Sequence, residues 1–147
     1  MVSKVVFSSK KHDWETPSYL FNKYNDIYNF ELDVCAEAHN TKLDNYISPE
    51  QNGLKTSWAD RNWCNPPYRN VSEWVEKAYK ESWEDRLTVM LLPARTDTKW
   101  FHRYIYKRDN VEVEFLKGRL KFVGAQHAAP FPSMIVIFKP ISLDFGY

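Results

Sequence analysis

The residues of this chain best suited to chemistry stand in WCNPPYRN, Trp63 to Asn70. A residue before proline is pushed out of the helical region and each proline fixes its own φ, so Asn65-Pro66-Pro67 is a stiff, extended finger. Proline has no N–H but keeps its carbonyl, so the finger offers two acceptors, the Asn65 side-chain oxygen and the Pro66 carbonyl. Tyr68 adds a flat aromatic face. Paired acceptors suit a planar amine such as the exocyclic amine of adenine, whose lone pair is delocalised into its ring. Acceptors on both hydrogens favour the tetrahedral nitrogen that forms when the amine attacks a methyl donor. Tyr68 would stack on the base and hold it in line, which requires the base to leave its duplex. The same four letters also describe a strand-ending turn, or a site for another planar amine or amide such as an RNA base or a protein glutamine. A WW-domain ligand fits less well, because no residue separates the prolines from the tyrosine.

Other chemistries lack a pattern. Cys35 and Cys64 stand in neither a CxxC nor a Cys/His spacing, which leaves no zinc site and points to a reducing compartment. No nucleophilic triad or pair of carboxylates has a persuasive spacing, and no metal is expected; His12, His39, His102 and His127 read as surface or packing residues. The N-terminal MVSKVVFSSKKHDW has no apolar core of signal-peptide length, and no run approaches about 20 apolar residues, so a soluble, cytoplasmic protein with no membrane partner is expected. Aromatic residues make up 16% of the chain, more than a small core requires, so some are candidates for base stacking as well as for packing. The net charge of +1 says nothing about nucleic acid, but its distribution is uneven. Residues 1–60 hold 6 Lys/Arg against 9 Asp/Glu, and residues 61–147 hold 14 against 10. The basic run from Arg95 to Lys121 is either a solvated face or a face for a phosphate backbone.

The elements that must position NPPY follow from periodicity. With 147 residues and 17.5 kDa the chain is expected to be one domain, residues 1–147, able to bury about two thirds of its unfolded surface. Thr16-Pro17 opens a helix over SYLFNKYNDIYNF, with Thr16 as N-cap, Pro17 at its first position, and Leu20, Phe21, Tyr24 and Ile27 or Tyr28 on its apolar face. ELDVCA reads as a buried strand, followed by a polar stretch with turn signals at Pro49 and Asn52-Gly53. Asn62–Asn65 is a second strand that breaks at the prolines. Val71–Trp83 is a helix with Ser72 as N-cap and Trp74, Val75, Ala78 and Tyr79 at helical spacing. LTVMLL is a third strand, Thr98–Tyr106 a short helix, and VEVEFL and SMIVIF a final hairpin-like pair. This order implies an α/β three-layer sandwich with a mostly parallel sheet and an antiparallel C-terminal edge hairpin.

From Trp14 to Phe138 the chain resembles the phage N-6-adenine DNA methyltransferase (Dam) family. The resemblance is carried by WETPSYLF, FELDVCAEAHNTK, NGLKTSW, WCNPPY, the WVEKA helix, LLPARTDTKWFH, FLKGRLKF and PFPSMIVIF. It implies transfer of a methyl group from S-adenosylmethionine to adenine N6 in DNA, with Asn65, Pro66, Pro67 and Tyr68 at the base. It also implies that Thr16, Pro17, Asp33, Cys35 and Ala36 line the cofactor pocket, and a phage setting. Asp33 could instead be a simple surface or capping carboxylate. The glycine-rich loop of a full methyltransferase is absent, and only 31 residues separate Asp33 from Asn65. One strand-helix-strand unit takes roughly 30 residues or more, so the resemblance implies a reduced Rossmann-like methyltransferase sandwich that has lost one or two strands beside the cofactor's adenosine. The family often has an acidic residue where this chain has Asn52; Asn52 and Leu54 are the expected adenosine contacts, with Asn40 and Lys42 behind them.

No inserted target-recognition domain is expected, so DNA contacts are expected from loops at the carboxyl ends of the strands. Arg69 and Asn70 just after NPPY, Arg95 to Lys99 after LTVMLL and Arg119 to Gln126 in the hairpin are the expected ones, with Arg69, Arg95, Lys99 and Arg119 as the cations. Phe122 either closes the edge of the base pocket or belongs to the core, and Trp100 and Phe101 are assigned to packing. A homodimer would enlarge so small a DNA-reading surface. Two rivals share these residues: the same reaction on RNA or a protein glutamine, and a DNA-binding module without activity.

Overall fold

The computed structural model describes residues 14–144, so the N-terminal stretch considered for a targeting signal lies outside the described residues up to Asp13, as does His12. Five strands, β1 (Leu32–Asp33), β2 (Arg61–Cys64), β3 (Leu87–Pro93), β4 (Val111–Phe115) and β5 (Ser133–Phe138), form one sheet in the order β1-β2-β3-β5-β4. The sheet is parallel from β1 to β3, with Asp33 opposite Trp63 and Cys64 opposite Met90. It is antiparallel from β3 through β5 to β4. The expected parallel character therefore holds for the first three strands, and the sheet as a whole is mixed. The C-terminal pair is antiparallel as expected, but β5, the later strand, inserts between β3 and β4 and leaves β4 at the edge.

Every residue of β3 and of β5 is buried, as continuous apolar runs are when both faces of a sheet are covered. Alternation sorts their side chains onto the two faces. Met90, Leu92, Met134, Val136 and Phe138 pack with Val71, Trp74, Val75 and Ala78 of α2 (Val71–Ser82) and Phe101 of α3 (Lys99–Tyr104). Leu87, Val89, Leu91, Ile135 and Ile137 pack with Leu20, Phe21 and Tyr24 of α1 (Ser18–Tyr28) and with Leu120 and Phe122. Helices thus cover both faces. A fourth short helix, α4 (Ile141–Asp144), follows β5 and was not expected from the sequence.

Several local expectations change. Pro17, not Thr16, is the N-cap of α1, and its carbonyl accepts from the backbone N–H groups of Leu20 (3.1 Å) and Phe21 (3.2 Å). Thr16 is thereby left to another task. Tyr28 packs onto the core, whereas Ile27 is 63% exposed. The N-cap of α2 is Asn70, without a side-chain cap bond, and Ser72 is exposed within the helix. At α3 the expected cap is present: Thr98 Oγ1 accepts from the Phe101 N–H at 3.3 Å. Strand β1 is only two residues long, and its outer side meets a single parallel bridge, Asp33 to Tyr46.

The segment from 34 to 60 joins two parallel strands without a crossover helix. It is pinned by backbone bonds from Val34 to the Trp63 carbonyl (3.0 Å) and from Ala36 to the Ile47 carbonyl (3.1 Å). Trp58 Nε1 donates to the Gly53 carbonyl at 2.9 Å, and the Trp58 ring stacks on Trp74. Glu81, buried on α2, receives the Trp58 N–H and ion-pairs with Lys77 and Arg86, which anchors the end of the segment.

Candidate active site

Because β1, β2 and β3 are parallel, Asp33, the NPPY finger after Cys64 and the loop after Pro93 all emerge at one end of the sheet. The antiparallel β5 brings its own beginning there, with Ser133 opposite Pro93. A cleft of about 360 Å³ opens at this end. Thr16, Asp33, Cys35, Ala36, Asn52, Leu54, Asn65, Pro66 and Pro67 all line it, and so do Asn40, Lys42 and Arg69. Pro17 does not; it is buried at the start of α1.

Pro67 has φ −63° and ψ 139°, the extended geometry expected of the finger. The Asn65 side chain is held from one side only. Its Nδ2 donates to the Trp14 carbonyl and, at 3.0 Å, to Thr16 Oγ1. Its Oδ1 is buried and has no hydrogen-bond partner. A carbonyl can only accept, so the Trp14 oxygen fixes which end of the amide faces it. The acceptor end is left for something else.

Asp33, 3% exposed, is no surface carboxylate. Burial raises its pKa from 3.8 to about 6, against the backbone N–H bonds from Lys42 (3.0 Å) and Cys35 that favour its charged form. Lys42 Nζ pairs with Glu15 at 3.2 Å on the rim. Asn52 adopts a left-handed φ of 59°, which asparagine tolerates, and its Oδ1 accepts from the Leu54 N–H at 3.1 Å. The turn therefore occupies the Asn52 side-chain oxygen. Neither cysteine is in a disulfide; Cys64 lies buried under the finger, and burial pushes its thiol pKa well up.

Tyr68 is not part of the cleft wall. Its ring packs edge-on to Phe131 at 5.3 Å and lies 6.4 Å from Trp14 at 30°. Its hydroxyl is buried without a partner, and burial raises its pKa, opposed by the nearby Arg95 charge. Trp14, half-buried, both lines the cleft and touches Tyr68, Phe122 (5.2 Å) and Phe131 (5.6 Å). Phe122 is 2% exposed and belongs to the core beneath Trp14. Arg69, Arg95, Lys99 and Arg119 are all exposed.

Sequence reasoning missed several lining residues, Trp14 and Trp74 among them. Trp14 begins the WETPSYLF motif, but nothing local marks its carbonyl as an acceptor for a residue 51 positions away. Asn70 reads as a DNA contact beside Arg69 and Trp74 as part of a core face, yet Asn70 Oδ1 and Trp74 Nε1 are buried, unpartnered and belong to cleft-lining residues. Among the described residues no group of three His, Cys, Asp or Glu could hold a metal ion, and no helix is long and apolar enough to cross a membrane.

The family model described as DNA N-6-adenine-methyltransferase (Dam) matches residues 3–146. The chain is 36% identical over 146 residues to the DNA N-6-adenine-methyltransferase of Haemophilus phage HP1 (strain HP1c1), a match that covers 90% of this chain and 83% of the relative. It is 34% identical over 94 residues to the DNA N-6-adenine-methyltransferase of Escherichia phage T1, covering 60% of this chain and 38% of that relative. A family match over nearly the full length, joined to a relative of similar size, means that the chain belongs to the DNA N-6-adenine-methyltransferase (Dam) family.

Proposed function

We propose that this protein methylates the N6 amine of adenine in DNA, with S-adenosylmethionine as the donor and the Asn65 side-chain oxygen as an acceptor for the reacting amine. The observation that carries the reading is the buried, unpartnered Asn65 Oδ1 on a residue of the cleft wall. An orphaned buried acceptor costs free energy unless a ligand satisfies it.

The lining suits such a donor. A cleft of about 360 Å³ has the size of a small-molecule site. The Asp33 carboxylate accepts from the ammonium of the methionine part, and its raised pKa reflects a charge that gains when a cation arrives. Trp74 Nε1 and Asn70 Oδ1 supply a further unpaired donor and acceptor. When bound, S-adenosylmethionine supplies an electrophilic methyl group on a sulfonium. The chain's residues do the rest: Asn65 Oδ1 and the Pro66 carbonyl accept the two amine hydrogens, and the Trp14 and Tyr68 rings stack the extruded base. Arg69, Arg95, Lys99 and Arg119 contact phosphates, and Phe122 supports Trp14 from beneath. We read the sheet as a shortened Rossmann-like one, with the segment from 34 to 60 standing where further strands would be.

The test is transfer from labelled S-adenosylmethionine to unmethylated DNA, followed by digestion to nucleosides. Labelled N6-methyldeoxyadenosine that disappears in Asn65→Ala, with donor affinity retained, is the expected result. Label only in RNA or in protein glutamine would move the reaction to those substrates. Absence of donor binding alongside intact DNA binding would reduce the protein to a binding module.

A further inference from the structure

We infer that Thr16 and the Trp14 backbone carbonyl are positioning elements: they lock the Asn65 amide so that its oxygen, and never its NH2, is offered to the base. The inference rests on the proposed function and adds two residues to it. The Trp14 carbonyl and Thr16 Oγ1 both receive hydrogens from Asn65 Nδ2, the latter at 3.0 Å. A flipped amide would set Oδ1 against the Trp14 carbonyl, two acceptors face to face, and would leave the NH2 in the place of the acceptor. Thr16 is available because Pro17 has taken over the cap of α1, and it is buried at 2% exposure. The stretch before α1 thus sets the direction of a side chain 49 positions later.

The lock makes a demand on residue 65. It accepts a group with a donor on one arm and an acceptor on the other, which an amide has and a carboxylate does not. A carboxylate there would face the Trp14 carbonyl and be repelled. A protonated carboxyl would satisfy the lock again, its O–H donating to the Trp14 carbonyl and its C=O remaining as the acceptor. The charged and titratable groups around it are Glu15 before α1, Asp33 and Cys35 after β1, Glu37 and Lys42 in the next loop, and Arg69 beyond the finger. Asp33 titrates at about 6, so every profile must be taken as a ratio to wild type.

Four variants test this at saturating donor and DNA. Thr16→Val should lower kcat by about fivefold to tenfold, the effect of removing one hydrogen bond, and Thr16→Ser should restore it. Asn65→Asp should lose about 100-fold or more at pH 8. Its kcat relative to wild type should then climb, by up to about tenfold per pH unit, as the pH falls and the new carboxyl group takes up a proton. Asn65→Ala, with no proton to gain, should show no recovery of transfer at any pH. A flat ratio for Asn65→Asp, or Thr16→Ser as poor as Thr16→Val, would overturn the inference. A readout that needs no reaction is the side-chain amide signal of Asn65 in nitrogen-labelled protein, assigned by its loss in Asn65→Asp. Slow hydrogen exchange that quickens in Thr16→Val is expected, and an unchanged signal would count against the lock. A wild type with the protected amide but no transfer to DNA would sink the proposed reaction and leave the lock standing.

Discussion

With Asp33 at the proposed donor site, its surroundings set the direction in which pH acts on binding. Its pKa rises from 3.8 to about 6, mainly through burial, so near pH 5 most of the folded protein carries it neutral. The unfolded chain releases that proton near the ordinary value. The folded protein binds more protons between the two values, and Asp33 therefore withdraws stability as pH rises from about 4 to 6. Donor binding follows the opposite sign, because only the carboxylate attracts an ammonium. Affinity for S-adenosylmethionine should be constant above about pH 7 and should fall below pH 6 by up to about tenfold per unit. Titration calorimetry from pH 5 to 8 checks this, and Asp33→Asn should bind weakly with a profile that no longer bends. Tyr68 carries a second residue-scale prediction. Its hydroxyl has no partner, so Tyr68→Phe should leave kcat unchanged and cost no stability. Tyr68→Ala should weaken retention of the extruded base by about 1 to 3 kcal/mol, measured with a fluorescent adenine analogue at the target. Loss of turnover in Tyr68→Phe would assign the hydroxyl a role that its surroundings do not indicate.

The wall opposite Asn65 depends on the segment from 34 to 60, which keeps its shape without a helix. Gly53 sits where the segment folds back on its own start and meets α2: a Cβ there would stand 2.3 Å from the Val34 carbonyl and 2.9 Å from the Trp74 ring. Gly53→Ala should therefore destabilise the protein by about 1 to 3 kcal/mol, read from thermal or urea unfolding. It should also weaken donor binding, because Asn52, Leu54 and Trp74 share that wall. A neutral Gly53→Ala would mean that the segment yields easily. Elements with a strong period were legible in the sequence. The Trp74, Val75 and Ala78 face of α2 is the buried one, and the apolar runs of β3 and β5 are fully covered. What stayed hidden was decided across the chain. Nothing near Thr16 shows that its hydroxyl serves Asn65 while Pro17 caps the helix, and nothing in SMIVIF shows that it inserts between β3 and β4. Of the residues expected at the site, all but Pro17, Tyr68, Phe122 and the outer cations line the cleft. Pro17 went to capping and Phe122 to packing, which the same residue types serve as readily, and Tyr68 stands beside the wall with its ring against Trp14 and Phe131.

For the whole molecule, the sheet topology brings three carboxyl ends and the start of β5 to one rim, and the exposed cations border it. Arg69 follows the finger, Arg95 and Lys99 follow β3, and Arg119 lies in the connection between β4 and β5. Among the described residues none of the four is in a salt bridge, whereas Lys42, Arg61, Lys77, Lys80, Arg86 and Lys139 all are. Cations already paired inside the protein gain little from a phosphate, and unpaired ones release bound counterions from DNA when they meet it. DNA affinity should therefore fall steeply with salt. Replacing Arg95 or Lys99 with glutamine should reduce the slope of log Kd against log salt by about 0.9 for each phosphate that is no longer neutralised. Arg61→Gln, on the opposite end of β2, should leave that slope as it is. Fluorescence anisotropy with a labelled duplex between 50 and 200 mM salt, on the order of the range where such slopes are measured, distinguishes the two. Equal slopes in all three variants would place the DNA elsewhere on the surface, and a reduced slope in Arg61→Gln alone would move it to the far end of the sheet.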